Sequence, residues 1–141
     1  MAQELKNTLG KTFLKLSFQS DTQLVYAQWV NKASLAELKK GIFLITEFIQ
    51  QNQAKYLIDD RQRFESPFIE LNDWWVLEWY PQIQALGLHT IAIVAPENLL
   101  GKLSIKDLNH KIIELRPQIE IFASFLQAYQ WITQQQYAIA K

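Results

Sequence analysis

Lys55-Tyr56-Leu57-Ile58-Asp59-Asp60 is a short apolar run closed by two carboxylates, and Arg61-Gln62-Arg63-Phe64-Glu65 follows at once. It lies between two longer segments of helical spacing, so it reads as a strand buried on both faces, with 60–65 as the loop behind it. Upstream, Ser34 precedes a stripe of Leu35, Leu38, Ile42, Ile45 and Ile49, and Glu37 stands three residues after Ser34 as in a capping box. A helix is expected from about Ser34 to Gln51. Downstream of Ser66-Pro67, Leu71, Trp75, Trp79 and Ile83 recur at intervals of four, with Gly87 as terminator. A second helix is expected over about 69–86.

The same reading extends to both ends of the chain. Thr12 to Phe18 and Leu24 to Val30 each alternate with period two, and Gln19-Ser20-Asp21-Thr22 between them supplies turn chemistry, so the pair is expected to form an antiparallel hairpin. Leu88 to Ala95 is almost wholly apolar or β-branched, as in a central strand, and Pro96 ends it. Residues 97–115 have helical apolar spacing, with Gly101 and Ser104 as interruptions. Ile119 to Phe122 is a short strand, and Ser124 caps a final helix carrying Phe125, Ala128, Tyr129 and Ile132 at i, i+3, i+4 and i+7. The order ββαβαβαβα implies an α/β fold: a mixed, mostly parallel sheet of four to five strands with an N-terminal antiparallel hairpin and about four packed helices.

Composition bounds what such a fold could do. The chain has 141 residues, with Lys and Arg totalling 14 and Asp and Glu totalling 14. Such a balance lacks the positive surplus that drives binding to nucleic acid, and no nucleic-acid partner is expected. Zero Cys removes thiol chemistry and fits a reducing cytoplasm. The N-terminal residues mix charges of both signs, unlike a secretion signal, and no apolar run approaches the roughly 18 to 20 residues of a spanning helix. With no internal repeat and no Gly/Ser/Pro-rich linker, residues 1–141 read as one domain.

The layout resembles the STAS family of anti-sigma-factor antagonist domains, in its uncharacterised bacterial branch. The resemblance runs from about Thr12 to Ile132 and is carried by Tyr56-Leu57-Ile58-Asp59-Asp60-Arg61, by Trp74-Trp75 ahead of Gly87, and by Phe122, Ala128 and Trp131-Ile132. It implies a non-catalytic binding or regulatory domain with a protein partner. Regulatory members carry a phosphorylated Ser or Thr just after this strand, whose charge switches the partner. No hydroxyl stands there in this chain: Ser66 comes several residues late, and an Asp at that point would mimic a permanently charged state.

Two clusters are candidate sites. Asp59 and Asp60, with Arg61, Arg63 and Ser66, stand where open α/β sheets bind ligands. They could hold Mg²⁺ or an anionic group as a metal-dependent enzyme would, or Asp59 could cap a turn while Asp60 pairs with an Arg, both solvated. A phospho-acceptor aspartate would need a further acidic pair and a Lys in places that lack them. Trp74, Trp75, Trp79 and Tyr80 crowd one helix, and at about 100° per residue they cannot all share one face, so aromatic surface is expected to escape the core. That surface would serve a protein partner, a homodimer or a peripheral membrane contact; plain core packing is the alternative. His89 and His110 lack metal-ligand spacing, and Gly10, Gly41, Gly87 and Gly101 stand singly, so neither a metal nor a cofactor is expected.

Overall fold

The computed structural model describes residues 2–140, with the side chains of 138–140 excepted. The elements are β1 (Ala2–Lys6), β2 (Thr12–Gln19), β3 (Leu24–Asn31), α1 (Leu35–Asn52), β4 (Tyr56–Phe64), α2 (residues 69–85), β5 (Thr90–Val94), α3 (Leu99–Lys111), β6 (Ile119–Phe122) and α4 (Phe125–Ala140). They form an α/β structure around one six-stranded sheet in the order β1-β2-β3-β4-β5-β6. β1, β2 and β3 are antiparallel neighbours, and β3 through β6 are parallel.

Leu14, Leu16, Ala27, Trp29, Leu57, Ile91, Ile93 and Ile119 point to one face, where they meet α1, α2 and α3 in the larger core. Leu24, Tyr56, Ile58, Ala92 and Val94 point to the other, where Ala128 and Ile132 of α4 cover them. Consecutive strand residues alternate between these two layers, and this alternation determines the fate of the strand-end charges.

α1 begins as its capping box predicts. Ser34 Oγ accepts from Glu37 N–H, and the Glu37 carboxylate accepts from Ser34 N–H at 2.8 Å. A second Glu37 oxygen accepts from Thr8 N–H at 3.0 Å, which fastens the β1–β2 turn to the start of α1. Gly41 lies against the β3 indole: a Cβ there would sit 2.6 Å from Trp29 Cη2. The missing side chain is what lets α1 approach the sheet.

Two segments depart from their expected form. β1 precedes the hairpin as an additional edge strand; its AQELK sequence is almost wholly exposed and so has no apolar alternation to announce it. β4 runs on through Phe64, so residues 60–64 are strand and not loop. Its pairing with β3 slips between Gln28 and Val30, a β-bulge that places an extra residue in β4. Beyond the bulge Arg63 turns out and Phe64 turns in, against Trp29 at 5.7 Å between ring centroids. The Asp60 carboxylate accepts from Gln62 N–H at 3.0 Å and so satisfies an amide of the bulge.

α2 is also irregular. It opens as a 3-10 turn (Ile69–Leu71), is α-helical over Asn72–Trp74, widens to a π turn over Trp75–Trp79 and resumes as α-helix over Tyr80–Ala85. Tyr80 N–H donates to the carbonyl of Trp75, five residues back. Pro81 comes next: it has no N–H, and in a regular helix its ring would press on the carbonyl of Leu77, so the wider turn accommodates it.

Candidate functional site

Asp59 and Asp60 are both buried, which corrects the expectation of a solvated loop. As consecutive strand residues they face opposite layers. Asp59 sits beneath α1 and α2, where one oxygen meets Arg61 Nη2 at 2.7 Å and the other accepts from Trp29 Nε1 at 2.8 Å. Both ends of this pair are 1% exposed. Asp60 lies on the opposite layer and accepts from the Tyr26 hydroxyl at 2.6 Å. One ion cannot be held by both carboxylates, and the Asp60 carboxylate is turned into the core and not toward solvent.

The Asp59–Arg61 pair is enclosed by aromatic rings. The guanidinium carbon lies 3.6 Å from the Trp75 ring centroid and 4.5 Å from that of Phe68, and these two rings are themselves stacked. Burial pushes the Asp59 carboxyl above its ordinary range, opposed by Arg61 and by the hydrogen bond from Trp29. Burial likewise raises the Tyr80 phenol, and burial together with Asp60 raises that of Tyr26, so both stay protonated. The unit is a charged centre locked inside the main core.

Other expected site residues have structural partners. Ser66 Oγ accepts from Ala33 N–H at 3.1 Å and latches the segment after β4 to the start of α1. Arg63 is exposed on the layer away from Asp59. His89 Nδ1 lies 2.8 Å from Thr90 Oγ1, and His110 is exposed in the last turn of α3. Among the described residues no group of three or more His, Asp or Glu is placed to hold a metal ion, and no helix is long and apolar enough to cross a membrane.

The aromatic cluster is mostly core. Trp75, Trp79 and Tyr80 are buried, which removes them from the expected exposed surface, and only Trp74 retains 38% exposure. The π turn is the physical reason: with bonding from residue 80 back to 75, the fifth residue comes to lie over the first, and three aromatics reach one face where a regular helix would have turned one outward. Trp79 Nε1 donates to Thr46 Oγ1 at 2.8 Å and ties α2 to α1.

Between those two helices runs a groove of about 640 Å³. Ile42, Leu71 and Trp79 lie at its base, Phe43 and Trp74 stand on its rim, and Lys39, Glu47, Gln50 and Gln82 supply its polar boundary. Leu71 also lines a second depression that continues toward Ser66 and Leu35. Sequence reasoning placed Trp74 in this region but missed α1 as its other wall. The available signal was Phe43, a large apolar residue outside the core stripe of α1 and 64% exposed.

No family model and no curated protein matches this chain.

Proposed function

We propose that this chain is a non-catalytic binding domain of the STAS-like kind that acts through contacts with protein, and that the α1–α2 groove is its contact surface. The observation that carries this reading is the groove itself, with Phe43 and Trp74 exposed on its rim. Exposed apolar side chains gathered around a concavity are the usual mark of a contact site, whereas singly scattered ones are not. The contrast with β4 supports it, since Asp59 and Asp60 are engaged in buried pairs on opposite layers and offer no common reaction centre. A peripheral lipid contact retains only Trp74 of its four expected aromatics. α2 adds Glu70, Asp73 and Glu78 and no Lys or Arg, a poor match to an anionic bilayer.

The test is site-specific photocrosslinking in cells, with a benzophenone side chain in place of Phe43 or, as a comparison, of exposed Gln19 at the end of β2. A discrete protein adduct from position 43 and none from position 19 is the expected result. No adduct at 43, or equal adducts at both positions, would overturn the assignment of the groove.

A further inference from the structure

We infer that the partner seated on the α1–α2 groove is a second copy of this chain, docked antiparallel across a two-fold axis that passes beside Phe43. This rests on the reading of the groove as a protein-contact surface. The inference comes from the outer ridge of α1, where Lys39, Phe43 and Glu47 follow one another at intervals of four and all line the groove. At a rise of about 1.5 Å per residue, Lys39 and Glu47 stand about 12 Å apart with Phe43 midway. Turning the helix end for end about Phe43 maps residue 39 onto residue 47. Two such helices packed face to face therefore set Lys39 of each against Glu47 of the other, twice, with the two Phe43 rings at the centre and Trp74 alongside.

The pattern selects this register over its neighbours. A shift by one helical turn opposes Lys39 to Phe43 or Phe43 to Glu47, and a parallel arrangement opposes like charges. Among the described residues ion pairs join Arg61 to Asp59, Lys111 to Asp73 and Asp107, and Arg116 to Glu120, and neither Lys39 nor Glu47 is among them. Both charges are thus available to a partner. An isologous interface repeats every contact, so one surface, with Phe43 against Phe43 at its centre, serves both copies. Exposed ion pairs contribute little affinity and much selectivity, so burial of Phe43 and Trp74 supplies the attraction while Lys39 and Glu47 set the alignment.

Sedimentation equilibrium of the full chain across micromolar concentrations tests this, with circular dichroism as the check on folding. The wild type is expected to show a reversible monomer–dimer equilibrium. Lys39→Glu and Glu47→Lys should each weaken it by at least about tenfold, since either replaces two attractions by two repulsions. The double variant Lys39→Glu/Glu47→Lys should return the dissociation constant to within about threefold of wild type, because the swapped charges again face opposite partners. Lys40→Glu makes the same charge change off the ridge and should leave the equilibrium unaltered. A chain that stays monomeric, a dimer indifferent to the swaps, a dimer equally sensitive at Lys40, or a small molecule found in the groove by native mass spectrometry would each overturn the inference. A monomer that still crosslinks from position 43 to a different protein defeats self-pairing alone, whereas a monomer with no adduct there defeats the contact surface as well.

Discussion

Asp59 shows how a residue that looks like an active-site carboxylate can serve as a structural counter-ion. Its charge balances Arg61 in a place where neither ion reaches water, and it also orients Trp29, whose ring occupies the space left by Gly41. Asp59→Leu leaves the guanidinium buried and unpaired, and should cost about 3–5 kcal/mol in denaturant unfolding; a loss under about 1 kcal/mol would show that Arg61 finds water instead. Asp59→Leu/Arg61→Met removes both charges and should recover most of that loss. Gly41→Ala would bring a methyl to 2.6 Å from the Trp29 ring and 3.1 Å from Leu14 Cδ2. It should destabilise by about 1–3 kcal/mol of overpacking, offset in part by the roughly 1 kcal/mol that alanine gains over glycine within a helix. A thermal scan showing an unchanged or higher Tm would mean that Trp29 can turn aside at no cost. The adjacent carboxylates were legible in the sequence, but reading 60–65 as a loop hid that β4 runs on through them and turns Asp59 and Asp60 to opposite layers. Their partners Trp29 and Tyr26 were not legible, because both come from β3, some thirty residues earlier, and only the parallel register of β3 on β4 brings them across.

The elements expected from periodicity correspond closely to those observed wherever one side chain in two or in 3.6 decides burial. The hairpin, the capped α1, the all-apolar β5 and the stripe of α4 belong to this class. Legibility fails where a local irregularity resets the phase. The β4 bulge does so at residues 61–62 and conceals the end of a strand among charged residues; the π turn does so at Trp75–Trp79 and makes three aromatics share a face. β1 is hidden for another reason, since an exposed edge strand needs no apolar residues at all. The cap of α1 yields a pH prediction. Hydrogen bonds from the Ser34 and Thr8 backbone hold the Glu37 carboxyl below its ordinary pKa. Folding therefore favours the ionised form: the contribution is complete above the ordinary value of 4.5 and is lost as pH falls through the depressed one. Glu37→Ala should be less stable than the wild type at neutral pH, and the gap should narrow steadily as the solution is acidified through the carboxylate range. A gap that stays constant down to acid denaturation would rule out the ionised cap as its source.

At the scale of the whole molecule the two layers are unequal. Three helices cover one side of the sheet, while α4 alone covers Leu24, Tyr56, Ile58, Ala92 and Val94 on the other. A chain shortened to end at Ala123 should bare that apolar strip, bind an environment-sensitive dye and associate in solution; a monodisperse, dye-silent product would show that the sheet can hold its second side closed without α4. Which helices lie on which side was not legible, because apolar stripes say that a helix is covered and not by what. It follows from crossover handedness and from β4 and β5 facing both ways at once.

The hydrogen bond from Gln136 Nε2 to the Thr22 carbonyl spans 114 positions in the chain and joins α4 to the β2–β3 turn. During synthesis the turn emerges early and its partner more than a hundred residues later. Once β5 has been made, the strip of Leu24, Tyr56, Ile58, Ala92 and Val94 still lacks its cover until the α4 residues Ala128 and Ile132 follow. The element that closes this fold in space is thus also the one that ends its vulnerability in time.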